Sequence, residues 1–152
     1  MKNFLPLLLL ALGLLGGFSG CSNADFLGEG LKIELTNIAQ AGDGSVQVSW
    51  RVDNPNIFPY LFSKTSSNLS INGVLVGTVT DTSPLGVPAQ DHAERTGTLK
   101  LAKPLSRAAV DRAIAAGTVA YRMDSAVTVL LLDDKFEIVH LSNSGSITIA
   151  AK

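Results

Sequence analysis

Apolar and polar residues alternate along much of this chain with a period of two. Leu31, Ile33 and Leu35 share one side of LKIELTNIAQAG. Val46, Val48, Trp50 and Val52 share one side of VQVSWRVD, with Gln47, Ser49, Arg51 and Asp53 opposite. Alternation puts every second side chain on one face, so both segments are predicted as half-buried strands, with Trp50 in the core. AGDGS between them is a turn by composition. Leu99 and Leu101 align in ERTGTLKLA, and Val119, Tyr121, Met123, Val127, Val129 and Leu131 continue the pattern before a turn at Asp133-Asp134 and closing strands that end in Ile147 and Ile149. One segment departs from it. KPLSRAAVDRAIAAG is alanine-rich, with Val110, Ala113 and Ile114 at helical spacing, Ser106 as the expected cap and Gly117 as the stop. The sum is seven to eight antiparallel strands with one short helix, an all-β fold for which a β-sandwich is the expectation.

Two breaks in the pattern carry most of the information. Asn54-Pro55-Asn56 ends the second strand, and Pro59 follows four residues after Pro55. Proline has no N–H for a ladder and pushes the preceding residue toward extended geometry, while asparagine side chains can bond nearby backbone in place of a partner strand. The segment is therefore read as a corner where the chain leaves one sheet position for another, with Ile57 and Phe58 turning inward. Asn72-Gly73, flanked by apolar residues, is a two-residue hairpin signal. It predicts Ile71 opposite Val74 and Leu69 opposite Val76, all on one side. The proline-rich stretch from Asp81 to Ala93 is expected to be the longest loop.

The N-terminus alters the picture of location. Lys2, an apolar run from Phe4 to Leu15 and then small residues make a secretory signal, assigned to residues 1–20. As a helix that run would extend about 18 Å, short of the roughly 30 Å hydrocarbon core of a bilayer. Phe18-Ser19-Gly20-Cys21 resembles a bacterial lipobox, with Phe18 where leucine is usual, and Cys21 is the only cysteine in the chain. An internal disulfide is thereby excluded. The resemblance implies lipidation of Cys21 by diacylglycerol and an acyl group, palmitate being typical. Residues 21–29 then form a lipidated N-terminus with a short tether, and residues 30–152 form the domain. Ser22 after the cysteine implies sorting to the periplasmic face of the outer membrane, so the expected partner is a membrane, reached through the lipid anchor.

Composition narrows the rest. The formal charge of −1 becomes one unit more negative when Lys2 leaves with the signal, which provides no electrostatic footprint for nucleic acid. The chain is 46% hydrophobic, too apolar for a disordered protectant even after the signal is discounted. No catalytic set, metal site or cofactor is assigned. His92 and His140 with Asp91 and Glu94 lack ligand spacing, and His92 is expected in a solvated loop. His140 is expected on the polar face of a strand. Asp133-Asp134-Lys135 lacks the glycine and spaced acids of a calcium loop. The serines of SKTSSNLS are expected on a plain exposed strand, and Gly42 and Gly44 in a turn with no following helix cannot cradle a phosphate. Leu130, Leu131 and Leu132 put bulk on both faces of one strand, which is expected to lie under the helix near Val110 and Ile114 or, as an alternative, to line a groove for an acyl chain.

The ordered series VQVSWRVDNPNIFPYLFSKTSSNLSINGVLVGTVT, a strand, PLSRAAVDRAIAAGTVAYRMDSAVTV and the closing GSITI resembles the late-embryogenesis-abundant (LEA) group 2 family, also called the water-stress-and-hypersensitive-response (WHy) domain, over roughly residues 28–150. The resemblance implies a fibronectin-type-III-like (immunoglobulin-like) sandwich with one helix and a non-enzymatic role in desiccation and other stress. It also implies that Asn54, Pro55 and Asn56 are a structural signature with no catalytic duty. The alternative function is a binding module for a lipid or acyl chain or for an envelope protein partner.

Overall fold

A computed structural model describes residues 28–131 and 134–149. The signal at residues 1–20, Cys21 and most of the tether, and Leu132 and Asp133 of the last turn, lie outside the described residues. Among the described residues, eight strands and one helix follow in the order β1 (Lys32–Gln40), β2 (Val46–Asn54), β3 (Tyr60–Ile71), β4 (Val74–Asp81), β5 (Leu85–Val87), β6 (Asp91–Leu101), α1 (Ser106–Ala116), β7 (Thr118–Leu130) and β8 (Phe136–Thr148). All pairings are antiparallel. The strands run β1-β2-β6-β4-β3-β7-β8, with β5 laid against the start of β3.

The expected sandwich of two separate sheets is not what the pairing draws. β6 gives Asp91 through Thr98 to β2 and then Leu99 through Leu101 to β4, so a single strand serves two ladders in series. The sheet curls around this strand until β1 and β8 lie against each other, which makes a nearly closed, barrel-like body. Two glycines permit the tight curl. A Cβ on Gly97 would stand 2.8 Å from Val79 Cγ2 and 3.2 Å from the Trp50 ring, and one on Gly77 would collide with the Lys100 carbonyl. Inside lies one continuous apolar core that includes Trp50, Phe62, Ile33, Ile38, Leu69 and Met123.

The strand alternation of β1 and β2 is as the sequence predicts, with Leu31, Ile33, Leu35 and the four apolar residues of β2 buried. A bulge between Leu35 and Asn37 resets the phase, so that Ile38 also points inward. Other expectations are corrected. Residues 81–93 are not one long loop, because β4 runs to Asp81, β5 pairs Leu85, Gly86 and Val87 with β3, and β6 begins at Asp91. Leu85 and Val87 are buried, and that burial stabilises so short a strand between prolines. His92 therefore stands on a strand and not in a loop.

The Asn72-Gly73 hairpin forms with Ile71 opposite Val74, and both turn residues take positive φ, 49° and 80°. Beyond it, a bulge between Leu69 and Ser70 sets Leu69 opposite Gly77 and leaves Val74 and Leu75 exposed, so the predicted four-residue apolar face is not made. Helix α1 starts one residue earlier than a Ser106 cap requires. Leu105 occupies the cap without a side-chain bond, and Ser106 is buried with Val110 and Ala113 on the face that packs. Gly117 stops the helix in the left-handed conformation, with its N–H on the Ile114 carbonyl.

The helix lies over β4 and the beginning of β7, whereas Leu130 ends that strand, about 40 Å away at ~3.3 Å per residue. It therefore does not cover Leu130 or Leu131, and that expectation fails because α1 is tied to the opposite end of the barrel. The serine-rich strand β3 is not plainly exposed either. Thr65 and Ser67 face inward, and the Ser67 and Ser125 hydroxyls share a buried hydrogen bond of 2.7 Å.

Candidate functional site

The strand directions give the body two ends. One gathers residues 28–31, the corner at 54–60, the turns at 82–90, and the junction of β7 with β8. The other holds the turn at 41–45, the hairpin, α1 and Ile149, whose N–H bonds the Gly117 carbonyl. The Asn54-Pro55-Asn56 corner dominates the first.

Asn54 closes β2 with its side chain 1% exposed. Its Nδ2 donates to the Phe58 carbonyl and to the Pro88 carbonyl, both at 2.8 Å, while Oδ1 accepts the Asn56 N–H at 3.0 Å. Both amide protons and the oxygen are thus engaged, as burial of a polar group demands. Asn56 continues the clamp. Its Nδ2 donates to the Glu29 carbonyl at 3.0 Å and to the Tyr60 hydroxyl at 3.4 Å, and its own carbonyl accepts from the Gln90 N–H at 2.9 Å. Gly30, at φ 81°, passes so close to Pro55 that a Cβ there would meet Cγ of the ring at 3.0 Å. Three segments distant in sequence, 28–30, 54–60 and 88–90, are therefore locked through two asparagines. The corner carries the chain from β2, between β1 and β6, to β3, between β4 and β7. Ile57 and Phe58 do not turn inward as expected. They are 69% and 67% exposed, and at Phe58 the Asn54 amide holds the backbone carbonyl while the side chain stays outside.

Beside the corner a shallow cleft of about 610 Å³ opens over the outer face of β1, β2 and β6. Its walls are charged. Arg51 Nη2 bonds Glu34 Oε2 at 3.0 Å, and Arg51 Nε lies 3.0 Å from Asp53 Oδ1 at an angle that makes the contact ionic more than a hydrogen bond. Asp53, then Glu34, hold the guanidinium above its ordinary pKa. His92 Nδ1 stands 3.1 Å from Asp91 Oδ1. Arg51 is thus paired across to β1 and along β2, and half-exposed pairs of this kind contribute little to stability.

The structure does not bring the other candidates together. His92 on β6 and His140 on β8 are separated by β4, β3 and β7, and both are exposed. Among the described residues no three His, Cys, Asp or Glu side chains gather in a manner that could hold a metal. Gly42 and Gly44 lie in the turn between β1 and β2, closed by Gly44 N–H to the Ala41 carbonyl and Ala41 N–H to the Ser45 carbonyl. Sequence reasoning missed the Pro88 partner of Asn54, the tie from Asn56 to Glu29 and the Ser67–Ser125 pair. The buried serines had a signal, since Thr65, Ser67 and Leu69 share one side of β3.

No family model matches the chain, and no curated protein matches it. Among solved structures, the chain is similar to AT1g01470 from Arabidopsis thaliana, 14% identical, with a TM-score of 0.51 over 80% of each chain. It is also similar to a protein from Archaeoglobus fulgidus, 18% identical, covering 82% of this chain and 98% of that one with a TM-score of 0.46. A third likeness is to the Arabidopsis protein At2g46140.1, provisionally named a late embryogenesis abundant (LEA) protein, 14% identical over 84% of this chain and 79% of that one at a TM-score of 0.48. The likeness to AT1g01470 speaks for the fold alone.

Proposed function

We propose that this chain is a non-catalytic, lipid-anchored cell-envelope protein of the LEA group 2 (WHy) type, built on a curled variant of the fibronectin-type-III-like sandwich, and that it acts as a stress-protective or scaffolding body. The observation that carries the reading is the corner. Both amide protons and the oxygen of Asn54 are spent on backbone, so the residue that opens the most distinctive motif of the sequence acts in folding. The fold shared with AT1g01470 and the continuous apolar core support a protein that protects as a folded surface and not as a solvating coil. Deleting the gene should lower survival of drying, freezing or osmotic shock. Unchanged survival under all three overturns the protective role.

Anchoring follows from Cys21 at the end of the signal. A single myristoyl chain holds a protein only marginally and each buried methylene adds about 0.8 kcal/mol, so three chains attach it almost permanently. The periplasmic face of the outer membrane is the proposed location. In Cys21→Ser, palmitate labelling should vanish and the protein should leave the membrane fraction.

A second reading is favoured by a cleft of about 330 Å³ between α1 and the β3–β4 hairpin, walled mainly by Ile71, Val74, Ala109, Ala113 and Ala116. A mostly apolar cleft of this size admits part of an acyl chain or a side chain of a protein partner. Native mass spectrometry of the detergent-released protein would then show non-covalent lipid mass beyond the anchor, and its repeated absence counts against the carrier role.

A further inference from the structure

Exposed apolar side chains are unevenly spread over the body. Of eight large ones exposed among the described residues, Ile57, Phe58, Leu61, Phe136 and Ile138 lie at the corner end. Leu61, Phe136 and Ile138 are neighbours by register. Phe62 pairs with Val129 and Leu130 with Phe136, so Leu61, Leu130 and Phe136 stand in one outward row, with Ile138 two residues along the same face of β8. Ile57 and Phe58 lead into that row through Pro59. The same end receives the N-terminal segment. Glu29 is bonded by Asn56, Gly30 packs on Pro55, and Gly28 lies against Val139 and Leu141. Only six residues lie between Cys21 and Gly28, a reach of at most about 25 Å, while β7 alone runs some 40 Å from one end of the body to the other.

We infer that this apolar end, led by Phe58 and Ile57 and continued by Leu61, Phe136 and Ile138, seats in the interfacial layer of the bilayer that holds the anchor. The inference rests on the lipid-anchored reading. With Cys21 acylated, the tether keeps this end within reach of the bilayer in every orientation of the body, which the more distant Val74, Leu75 and Leu105 do not share. An aromatic ring and aliphatic tips that project from a rigid, proline-flanked loop meet the interface without an ordering cost. Acidic side chains at this end, Glu29, Asp91 and Glu137 among them, are interspersed with Lys32, Lys64 and Lys135 and no basic cluster forms, so the fitting surface is zwitterionic and the seating does not depend on anionic lipid.

Acylation consumes Cys21, so a cysteine introduced elsewhere is the single free thiol of the full-length lipoprotein. Phe58→Cys and, at the far end, Ala115→Cys, each labelled with an environment-sensitive fluorophore, are placed in phosphatidylethanolamine–phosphatidylcholine vesicles that carry a lipid-attached quencher. The label at 58 should shift to the blue and be quenched several-fold more than that at 115. Ile138→Cys serves as a second probe where Phe58→Cys misfolds. Equal quenching at both ends of an acylated, vesicle-bound protein overturns the seating and leaves the anchor intact. An N-terminus without fatty acid and protein that fails to float with vesicles overturn both. Self-quenching at 58 that grows with protein density, without lipid quenching, assigns the surface to a second copy of this chain and overturns the membrane as its occupant.

Discussion

Asn72 and Asn54 each stand where a strand stops, yet the two bends are held by opposite means. At Asn72-Gly73 the backbone supplies everything: two residues at positive φ bring Ile71 and Val74 face to face, and the asparagine side chain is exposed. At Asn54 the backbone supplies little. The side chain is buried and reaches Phe58, four residues on, and Pro88, thirty-four residues on. The first bend is a conformational preference and the second is a lock, and only at the lock does the asparagine side chain organise other segments.

Replacing each asparagine with glycine breaks the comparison most sharply. Asn54→Gly removes three hydrogen bonds from a buried site and should cost about 3 kcal/mol in urea unfolding, whereas Asn72→Gly keeps the left-handed backbone and should change stability by less than about 0.5 kcal/mol. Equal effects at both sites would end the distinction. Next in size is Gly73→Val. It forces a β-branched residue to φ 80° and should cost about 2 kcal/mol in the same measurement, while the solvent around Gly73 has room for the side chain, so the loss reads backbone strain alone. Asn56→Ala should cost about 1 kcal/mol and should release the N-terminal segment. Hydrogen exchange at Leu31, whose N–H bonds the Gly28 carbonyl, is expected to quicken while Ile71 keeps its protection.

Acid gives the smallest effect and separates the bends from the rest of the surface, since neither asparagine titrates. Asp124 is held below its ordinary value by Arg122 and by the Ser142 hydroxyl, and Asp43 by the Ser45 N–H. A depressed folded pKa adds stability that is complete above the unfolded carboxylate value and is lost as pH falls through the folded one. Acidification through the carboxylate range should therefore weaken the wild type slightly, and Asp124→Asn should remove part of that slope. Asn54→Gly should leave the slope unaltered.

What was legible in the sequence follows this division. Leu31 through Leu35, Val46 through Val52, the Asn72-Gly73 turn and the Gly117 stop all depend on neighbours within a few residues, and all are found where their pattern places them. The corner was legible as a break but not as a clamp, because nothing near Asn54 announces Pro88. Ile57 and Phe58 were placed inside on hydrophobicity alone, yet the corner gives its interior side to the Phe58 carbonyl and both side chains stand in solvent. β5 was hidden because three residues among prolines have no period to detect, and the Leu69–Ser70 bulge because the hairpin rule assumes an unbroken ladder.

By itself the sequence determined the strands other than β5, the helix before β7 and the positions of the two bends, since strand period, left-handed glycine and the missing proline N–H act within a turn or two of the chain. Tertiary structure decided which strand β6 would serve, whether the layers would separate or curl into one body, and which apolar residues would remain outside. Those outcomes depend on whether Gly97 lets Trp50 meet Val79, whether Asn54 finds Pro88, and whether a side chain and its own carbonyl compete for the interior, and such contacts exist only once distant segments have come together.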